Sequence, residues 1–182
     1  FGKKSQTNIL SGIQFLKVSR ERHLFHEAKR EATDLLETVK KFPHIKQVCI
    51  AGSIRRHKET IKDIDLIAAV QDEYRETIME RFTSLPEVEL VTGKGETKSS
   101  VRFTSGFQAD LRLVSDKEYP FTLHHFTGSK EHNTAMRTRA KTFGLKMNEY
   151  GLFKNDDSIP CKDEKEIFKA LDLEYIEPEL RE

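Results

Sequence analysis

The fold of this chain is decided by two stretches of sequence, Lys62-Asp63-Ile64-Asp65-Leu66-Ile67-Ala68-Ala69-Val70 and Gln108-Ala109-Asp110-Leu111-Arg112-Leu113-Val114. Successive side chains of a β-strand point to opposite faces of the sheet, so residues two apart share a face. In the first stretch, Asp63 and Asp65 therefore project together, while the apolar residues beside them pack on the other side. In the second stretch, Asp110 lies on the polar face of an alternating pattern. We predict two strands that each carry acids on one face.

The rest of the chain alternates between helical and strand patterns. Apolar residues spaced three and four apart predict helices, and short apolar or alternating runs predict strands. Pro43 ends the second helix, and Pro120 marks a boundary between two parts of the chain. The predicted helices span 7–16, 22–42, 74–84, 130–143 and 163–171, and the predicted strands span 47–51, 62–70, 88–92, 100–103, 106–114 and 145–153. This order predicts an α+β fold with a mixed β-sheet backed by helices.

The composition excludes several classes of protein. The 182 residues carry 31 Lys and Arg against 30 Asp and Glu, and the mean hydropathy is −0.62. An apolar run such as 66–70 is far shorter than the roughly 20 residues of a membrane helix. No secretion signal opens the sequence, and two distant cysteines, Cys49 and Cys161, make no disulfide framework. We expect a cytoplasmic protein in a reducing compartment, with no membrane segment.

The net charge of +1 hides an asymmetry between the two ends of the chain. Residues 1–30 contain seven Lys and Arg against two Glu, whereas residues 163–182 contain eight acids against three basic residues. A basic beginning and an acidic end permit contact with nucleic acid at one end only. Such clusters are also common on solvated helix faces, so charge alone assigns no function.

Three acids and a glycine turn together predict a site for phosphate transfer. The Asp-x-Asp pair alone also fits a solvated edge strand, although two like charges so close are easier to ionise beside a cation. Gly52-Ser53 ends a buried strand and is followed by Arg55 and Arg56, which supplies amide, hydroxyl and guanidinium donors for a phosphate. Asp110 adds a third carboxylate on a strand. Such a set fits two hard divalent cations and a nucleoside triphosphate.

The order of these motifs resembles a known family. The set Gly52-Ser53, Asp63-Ile64-Asp65 and Asp110 resembles the nucleotidyltransferase superfamily. Phe126-Thr127-Gly128-Ser129, followed by Asn133 and Arg137, narrows the resemblance to the family X DNA polymerases. Segments 95–98, 148–150 and 175–182 agree with that family in order and spacing, so the resemblance covers essentially the whole chain. It implies a nucleotidyltransferase palm plus a small α/β thumb.

The resemblance also implies a role for each matching position. The catalytic and metal-binding carboxylates would be Asp63, Asp65 and Asp110, with two Mg²⁺ or Mn²⁺ ions as cofactors. The incoming nucleotide would contact Gly52, Ser53, Arg56, Lys62, Phe126, Gly128 and Asn133. The DNA would contact Gly2, Lys3, Lys4, Thr97, Lys98 and Arg137.

The family pattern divides the chain and indicates a branch. Residues 1–18 would be the remnant of a helix-hairpin-helix segment, residues 19–119 the palm and residues 120–182 the thumb. Ile61 and Lys62 stand where the vertebrate repair branch has Ser-Gly, and His125 replaces a tyrosine. These departures resemble the bacterial branch, whose members usually carry a further domain on each side. The chain is therefore expected to be the palm and thumb of a larger protein.

The resemblance implies a DNA polymerase that adds a nucleotide from a dNTP to a primer 3′-hydroxyl on gapped DNA, as in base excision repair, and we expect it to act as a monomer. The alternatives are a small-molecule or RNA-end nucleotidyltransferase and a poorly active DNA-binding fragment. We interpret His124, His125 and His132 as ordinary helix and loop residues, and we expect Arg112 to pair with the site aspartates.

Overall fold

A mixed five-stranded sheet forms the centre of the molecule. In the computed structural model, which describes residues 2, 5–6, 9–10 and 22–182, its strands are β2 (Gln47–Ile50), β4 (Asp63–Ala69), β5 (Val88–Lys94), β6 (Lys98–Phe103) and β7 (Gln108–Val114). The strands stand in the order β2-β4-β7-β6-β5. The β4–β7 pair is parallel, and the other three pairs are antiparallel. The α+β class with a mixed sheet, predicted from the sequence, is confirmed.

Six helices and two smaller sheets complete residues 22–182. The helices are α1 (Phe25–Lys40), α2 (Gly52–Arg55), α3 (Arg75–Thr83), α4 (Tyr119–Thr127), α5 (Lys130–Thr142) and α6 (Glu164–Ala170). The smaller sheets are β1 (His23–Leu24) with β3 (Thr60–Ile61), and β8 (Lys146–Met147) with β9 (Leu152–Lys154) and β10 (Asp157–Ile159). In the part of the chain that the structure describes, no helix has the length and apolar character needed to span a bilayer.

The larger hydrophobic core lies on one face of the central sheet. Helix α1 has apolar residues along one side, and Ala28, Ala32 and Val39 of that side are fully buried. They belong to one cluster with the buried residues of α3 and with Ile64 and Leu66 of β4. Because side chains alternate along β4, Asp63 and Asp65, which flank Ile64, point away from this core.

The opposite face of the sheet is covered by α4 over part of its length. Ile67 and Ala69 of β4 pack there with Tyr119 and Leu123 of α4. The earlier positions of β4 on this same face are the aspartates of the Asp-x-Asp pair. Helix α4 therefore covers the apolar end of the face and leaves the acidic end to the functional site.

Pro120, where the sequence predicts a boundary, lies in the first turn of α4, where a proline lacks only an N–H that would have no partner. One local prediction is wrong. The single strand expected over 145–153 is two strands, β8 and β9. Between them, Asn148 Oδ1 accepts hydrogen bonds from the backbone N–H of Tyr150 at 2.9 Å and Gly151 at 3.0 Å, which turns the chain. The helix predicted over 7–16 lies largely outside the described residues.

Candidate active site

Three aspartates stand together where two parallel strands pair. The register of β4 and β7 sets Asp65 opposite Asp110 and Asp63 opposite Gln108. Neighbouring strands lie about 4.7–4.9 Å apart, so Asp65 and Asp110 project from adjacent positions on one face. Ile64, between the first two acids, is fully buried on the other face. The structure thus brings the three predicted carboxylates to one place.

The three carboxylates repel one another. Burial first, and then the charges of Asp63 and Asp110, raise the pKa of Asp65 to about 7, while Arg112 and Lys98 act in the opposite direction. A carboxyl group with this pKa is partly protonated at neutral pH, because its ionisation adds a further negative charge to a crowded site. A hard divalent cation bound to these oxygens would remove the repulsion. The chemistry of the donor set therefore fits such a cation.

In this structure the three carboxylates are not arranged as the ligands of a metal ion. Over residues 22–182, no three His, Cys, Asp or Glu side chains are already grouped as metal ligands. Instead, the ammonium group of Lys98, for which the sequence predicts a DNA contact, lies 2.5 Å from Asp110 Oδ2. One carboxylate of the three is thus engaged by a positively charged side chain of the neighbouring strand.

Gly52 allows the predicted phosphate-binding turn to approach the acids. The segment after β2 is the one-turn helix α2, where the sequence predicts an open turn, and Gly52 has a φ of +62°. A Cβ atom at this position would lie 2.1 Å from Asp65 Oδ2. Both the backbone conformation and this close approach require glycine. The backbone N–H of Ala51 also donates to the carbonyl of Asp65 at 2.8 Å, which joins the turn to β4.

A polar pocket of about 780 Å³ opens beside Asp63, one of the three acids. Three residues predicted to bind nucleotide, Ser53, Arg56 and Lys62, line it. Arg22 lines it as well and is missed by the sequence patterns. The Arg22 guanidinium is held by Thr60, with Nε 2.9 Å from Oγ1 and Nη2 2.7 Å from the carbonyl oxygen. The pairing of β1 with β3 brings these two residues together, and no local pattern reveals it.

Two arginines connect this pocket to the helices that follow the sheet. Arg56 donates to the carbonyl of Thr127, and Arg55 Nη1 donates to Thr127 Oγ1 at 2.6 Å. Arg55 Nη2 lies 2.5 Å from Glu164 Oε2, and Arg181 Nη1 lies 2.6 Å from Glu164 Oε1. Glu164 and Arg181 are buried. A buried ion cluster therefore links the phosphate turn to the C-terminal part of the chain, and the sequence does not predict it.

The residues predicted to border the nucleotide lie at the junction of α4 and α5. Arg112 Cζ stands 3.9 Å from the centre of the Phe126 ring, so its guanidinium stacks on an aromatic ring where an ion pair with the aspartates is predicted. Asn133 Nδ2 donates to the carbonyl of His125 at 2.7 Å, and its Oδ1 is buried without a hydrogen-bond partner. Arg137 Nη2 lies 3.0 Å from His125 Nδ1. Asn133 and Arg137 thus meet at one histidine.

The remaining predicted positions lie around these. A Cβ atom at Gly128 would lie 3.1 Å from Arg56 Nη1, so glycine at this position lets the Arg56 guanidinium approach. Thr97 directly precedes β6, and its carbonyl oxygen accepts a hydrogen bond from the backbone N–H of Leu113 at 3.0 Å. Gly2 is exposed, whereas Lys3 and Lys4 lie outside the described residues.

His124 and His132, two of the three histidines that we interpret from the sequence as ordinary helix and loop residues, form a buried pair. His124 Nε2 and His132 Nε2 are 3.2 Å apart, and both rings pack against Phe168. Burial, followed by the charge of Arg181, lowers the pKa of His132 to about 4 and holds that of His124 well below its usual range. Two neutral rings can share one hydrogen bond as donor and acceptor, so this pair joins α4 to α5.

Comparison with known proteins gives matches across these elements. Residues 122–182 match the family model of the DNA polymerase beta thumb. The whole chain is 37% identical over 186 aligned residues to the DNA polymerase/3′-5′ exonuclease PolX of Bacillus subtilis, of which it spans only 32%. It is 30% identical over 147 residues to the repair DNA polymerase X of African swine fever virus, strain Badajoz 1971 Vero-adapted. That alignment covers 75% of this chain and 82% of the viral protein.

A solved structure shares the fold. Leishmania infantum polymerase beta, in a ternary P/T complex, superposes with a TM-score of 0.78 over 94% of this chain and 80% of that chain. The two sequences are 23% identical over this match. The arrangement of sheet and helices described above is therefore the fold of that polymerase.

Proposed function

Because the chain belongs to the family X DNA polymerases, we propose that it transfers a nucleotide from a dNTP to a primer 3′-hydroxyl, in the short-gap filling of base excision repair. One observation carries this proposal: the parallel pairing of β4 and β7 sets Asp65 opposite Asp110, with Asp63 on the same face. A polar pocket of about 780 Å³, lined by Asp63 of the three acids and by Ser53 and Arg56, adjoins the paired strands. The match of residues 122–182 to a polymerase thumb favours this reaction over nucleotide transfer to a small molecule or an RNA end.

We assign residues 19–119 to the palm, residues 120–182 to the thumb and residues 1–18 to a helix-hairpin-helix remnant. Two separate clusters of buried side chains support the first two assignments, one between Ala28 and Leu113 and one between Phe121 and Leu171. A smaller cluster packs Leu123 of the second part against Ile67 and Tyr119 of the first. Most of residues 1–18 lie outside the described part of the chain, so that assignment rests on sequence.

Asp63, Asp65 and Asp110 would hold two divalent cations, Mg²⁺ or Mn²⁺. When bound, such cations polarise phosphoryl oxygens and lower the pKa of a coordinated hydroxyl. The chain itself contributes position, because the paired strands hold the carboxylates at adjacent places without further folding. Asp65, partly protonated in the free protein, would have to give up its proton to hold a cation.

The triphosphate would lie in the pocket beside the acids. Arg22, Arg56 and Lys62 supply positive charge, and Ser53 supplies a hydroxyl. The glutamates Glu59, Glu179 and Glu182 also line the pocket. Hydrogen bonds from charged donors to the outer two phosphates are strong and directional, so they orient the inner phosphate towards the carboxylates. Gly52 keeps this turn close enough to the acids for both groups to act on one nucleotide.

The remaining contacts follow from the same proposal. Phe126 and Gly128 would border the sugar, and Asn133 would meet the minor-groove edge of the incoming base. The DNA, gapped or primer-template, would contact Gly2, Lys3, Lys4, Thr97, Lys98 and Arg137. We propose that the protein acts on this DNA as a monomer in the bacterial cytoplasm.

Primer extension tests the proposed function. The protein is incubated with gapped and with recessed DNA and all four dNTPs, with Mg²⁺ and Mn²⁺ compared. Asp110→Asn should abolish extension while the fold stays intact, because it removes a charge and no core volume. Asp116→Asn is the matched control, since Asp116 is exposed beyond the far end of β7 and pairs with Lys46.

Three results would contradict the proposal. Extension by Asp110→Asn at the wild-type rate would remove the acids from the reaction. Transfer to an RNA end, with no transfer to a DNA primer, would favour the RNA-end alternative. DNA binding without extension under either metal would leave a binding module.

A further inference from the structure

Lys98 of β6 forms an ion pair with Asp110 of β7. Its Nζ lies 2.5 Å from Asp110 Oδ2, and the two side chains are 37% and 22% exposed. In the pairing of β6 with β7, Lys98 stands opposite Arg112 and Ser100 stands opposite Asp110. Lys98 therefore reaches Asp110 along the diagonal, a distance of roughly 7–8 Å that a long side chain can bridge.

The surroundings explain why Asp110 takes this partner. Asp110 lies beside Asp65, so it needs a positive neighbour when both are ionised. Arg112 is on the same face, but its guanidinium lies over Phe126 and its Nε is buried without a hydrogen-bond partner. The ammonium group of Lys98 thus supplies the direct neutralising contact that Asp110 makes in the free protein.

We propose that Lys98 is an exchangeable counterion: Asp110 gives it up for a divalent cation, and the freed ammonium group then binds a phosphate of the DNA. Cation binding and DNA binding favour each other through this one side chain. The inference rests on the proposed function and deepens it, because it assigns to Lys98 the coupling between the two ligands.

The exchange follows from charge and from the mobility of the lysine. An ammonium group at contact distance from Asp110 repels a divalent cation bound to the same carboxylate, so each weakens the binding of the other. The backbone of Lys98 is fixed, since its carbonyl accepts the N–H of Gly95 at 2.9 Å. The flexible four-carbon stem can nevertheless turn without moving β6. A freed ammonium group at this partly open edge is available to a DNA phosphate.

Binding of Mn²⁺ alone, measured by the electron paramagnetic resonance signal of the free ion, tests the first half of the exchange. In Lys98→Met, Asp110 no longer has a competing cation, so we expect Mn²⁺ to bind about 5- to 150-fold more tightly than to the wild type, a usual range for coupled sites. Lys94→Met is the matched control, because Lys94 lies on β5 beside β6 and its Nζ is 3.9 Å from Glu80. It should leave Mn²⁺ binding unchanged. Lys98→Gln repeats the test with a polar side chain, and thermal melts check that each variant folds.

Binding of gapped DNA without dNTP tests the second half. In the wild type, Mn²⁺ should tighten DNA binding, and DNA should tighten Mn²⁺ binding by the same factor. In Lys98→Met this factor should fall towards one, because the side chain that links the two ligands is gone.

The outcomes separate this inference from the proposed function. If Asp110→Asn weakens Mn²⁺ binding but Lys98→Met leaves it unchanged or weaker, the counterion exchange is wrong and the metal assignment stands. If Asp110→Asn has no effect on Mn²⁺ binding, the metal assignment fails and the exchange fails with it. A Lys98→Met protein that keeps the full coupling between Mn²⁺ and DNA also overturns the exchange.

Discussion

Glu164→Gln should destabilise the protein strongly, because one buried carboxylate serves two arginines. Its oxygens lie 2.5 Å from Arg55 Nη2 and 2.6 Å from Arg181 Nη1. The side chains of Glu164 and Arg181 are 6% and 0% exposed, and that of Arg55 is 19% exposed. Burial lowers the pKa of Arg55, but the hydrogen bond and charge of Glu164 outweigh it and raise the pKa overall. The carboxylate is thus what makes two buried guanidinium groups tolerable.

The magnitude follows from what the substitution leaves behind. Glutamine keeps the shape of the side chain but removes its charge, so two positive groups face each other out of water. Loss of one partner of a buried ion pair costs about 3–5 kcal/mol. In a chain of this size, each kcal/mol lowers the melting temperature by about 2–4 °C, so the loss should be about 6–20 °C.

Thermal and urea unfolding measure this effect. Glu174→Gln is the matched control, since Glu174 is an exposed acid in the same C-terminal part, and it should change stability by less than about 0.5 kcal/mol. The double variant Arg55→Met with Glu164→Gln should recover part of the loss, because it removes one of the two unpaired charges. A loss below about 1 kcal/mol in Glu164→Gln, with both proteins folded, would refute the reasoning.

Three further predictions concern the acids and the phosphate turn. Gly52→Ala should abolish primer extension and reduce stability by more than the control Gly106→Ala, as measured by urea midpoints. Gly106 has a φ of +89° with open space around it, so an alanine there costs only the backbone strain of about 1–2 kcal/mol. A Cβ atom at Gly52 would also collide with Asp65. Equal losses of stability in the two variants would contradict this. The pKa of Asp65 is raised from 3.8 to about 7. The protonated form of Asp65 therefore stabilises the fold fully below about pH 4, and this stabilisation is lost as the pH rises through 7. The free energy of unfolding of Asp65→Asn, measured by melting in EDTA, should therefore rise relative to that of the wild type by up to about 4 kcal/mol between pH 4 and 7. A difference between the two proteins that stays constant with pH would count against this. Arg56→Ala should weaken dNTP binding by about 1.5–3 kcal/mol, while Arg81→Ala, at an exposed position of α3, should not; unchanged affinity in the first variant would remove Arg56 from the site.

Some features of the molecule are determined by the sequence itself. The alternation around Asp63 and Asp65 specifies which side chains share a face, and the apolar spacing from Ala28 to Val39 specifies the buried side of α1. These patterns are local, because helix and strand periods relate residues that are neighbours along the chain. The same local motifs, in their order, suffice to identify the family X DNA polymerases.

Local rules also have a limit, which Pro120 and Asn148 show. Pro120 is a helix breaker in the interior of a helix but not in its first turn, so its meaning depends on where α4 begins. The Asn148 side chain divides an apparently continuous strand by capturing two backbone N–H groups. Both outcomes depend on which backbone groups are left without partners, and periodicity does not record that.

The site itself was completed only by tertiary structure. Arg22 reaches the pocket because β1 pairs with β3, and Glu164 meets Arg55 across 109 positions of sequence. Lys98 could equally have been a solvent-exposed lysine, and Arg112 could have paired with an aspartate. Long-range attraction between charges does not select one partner among the many acids of a chain that is 34% charged. The selection is made by strand register and burial, which decide the charges that lie within a few ångströms of each other and out of water.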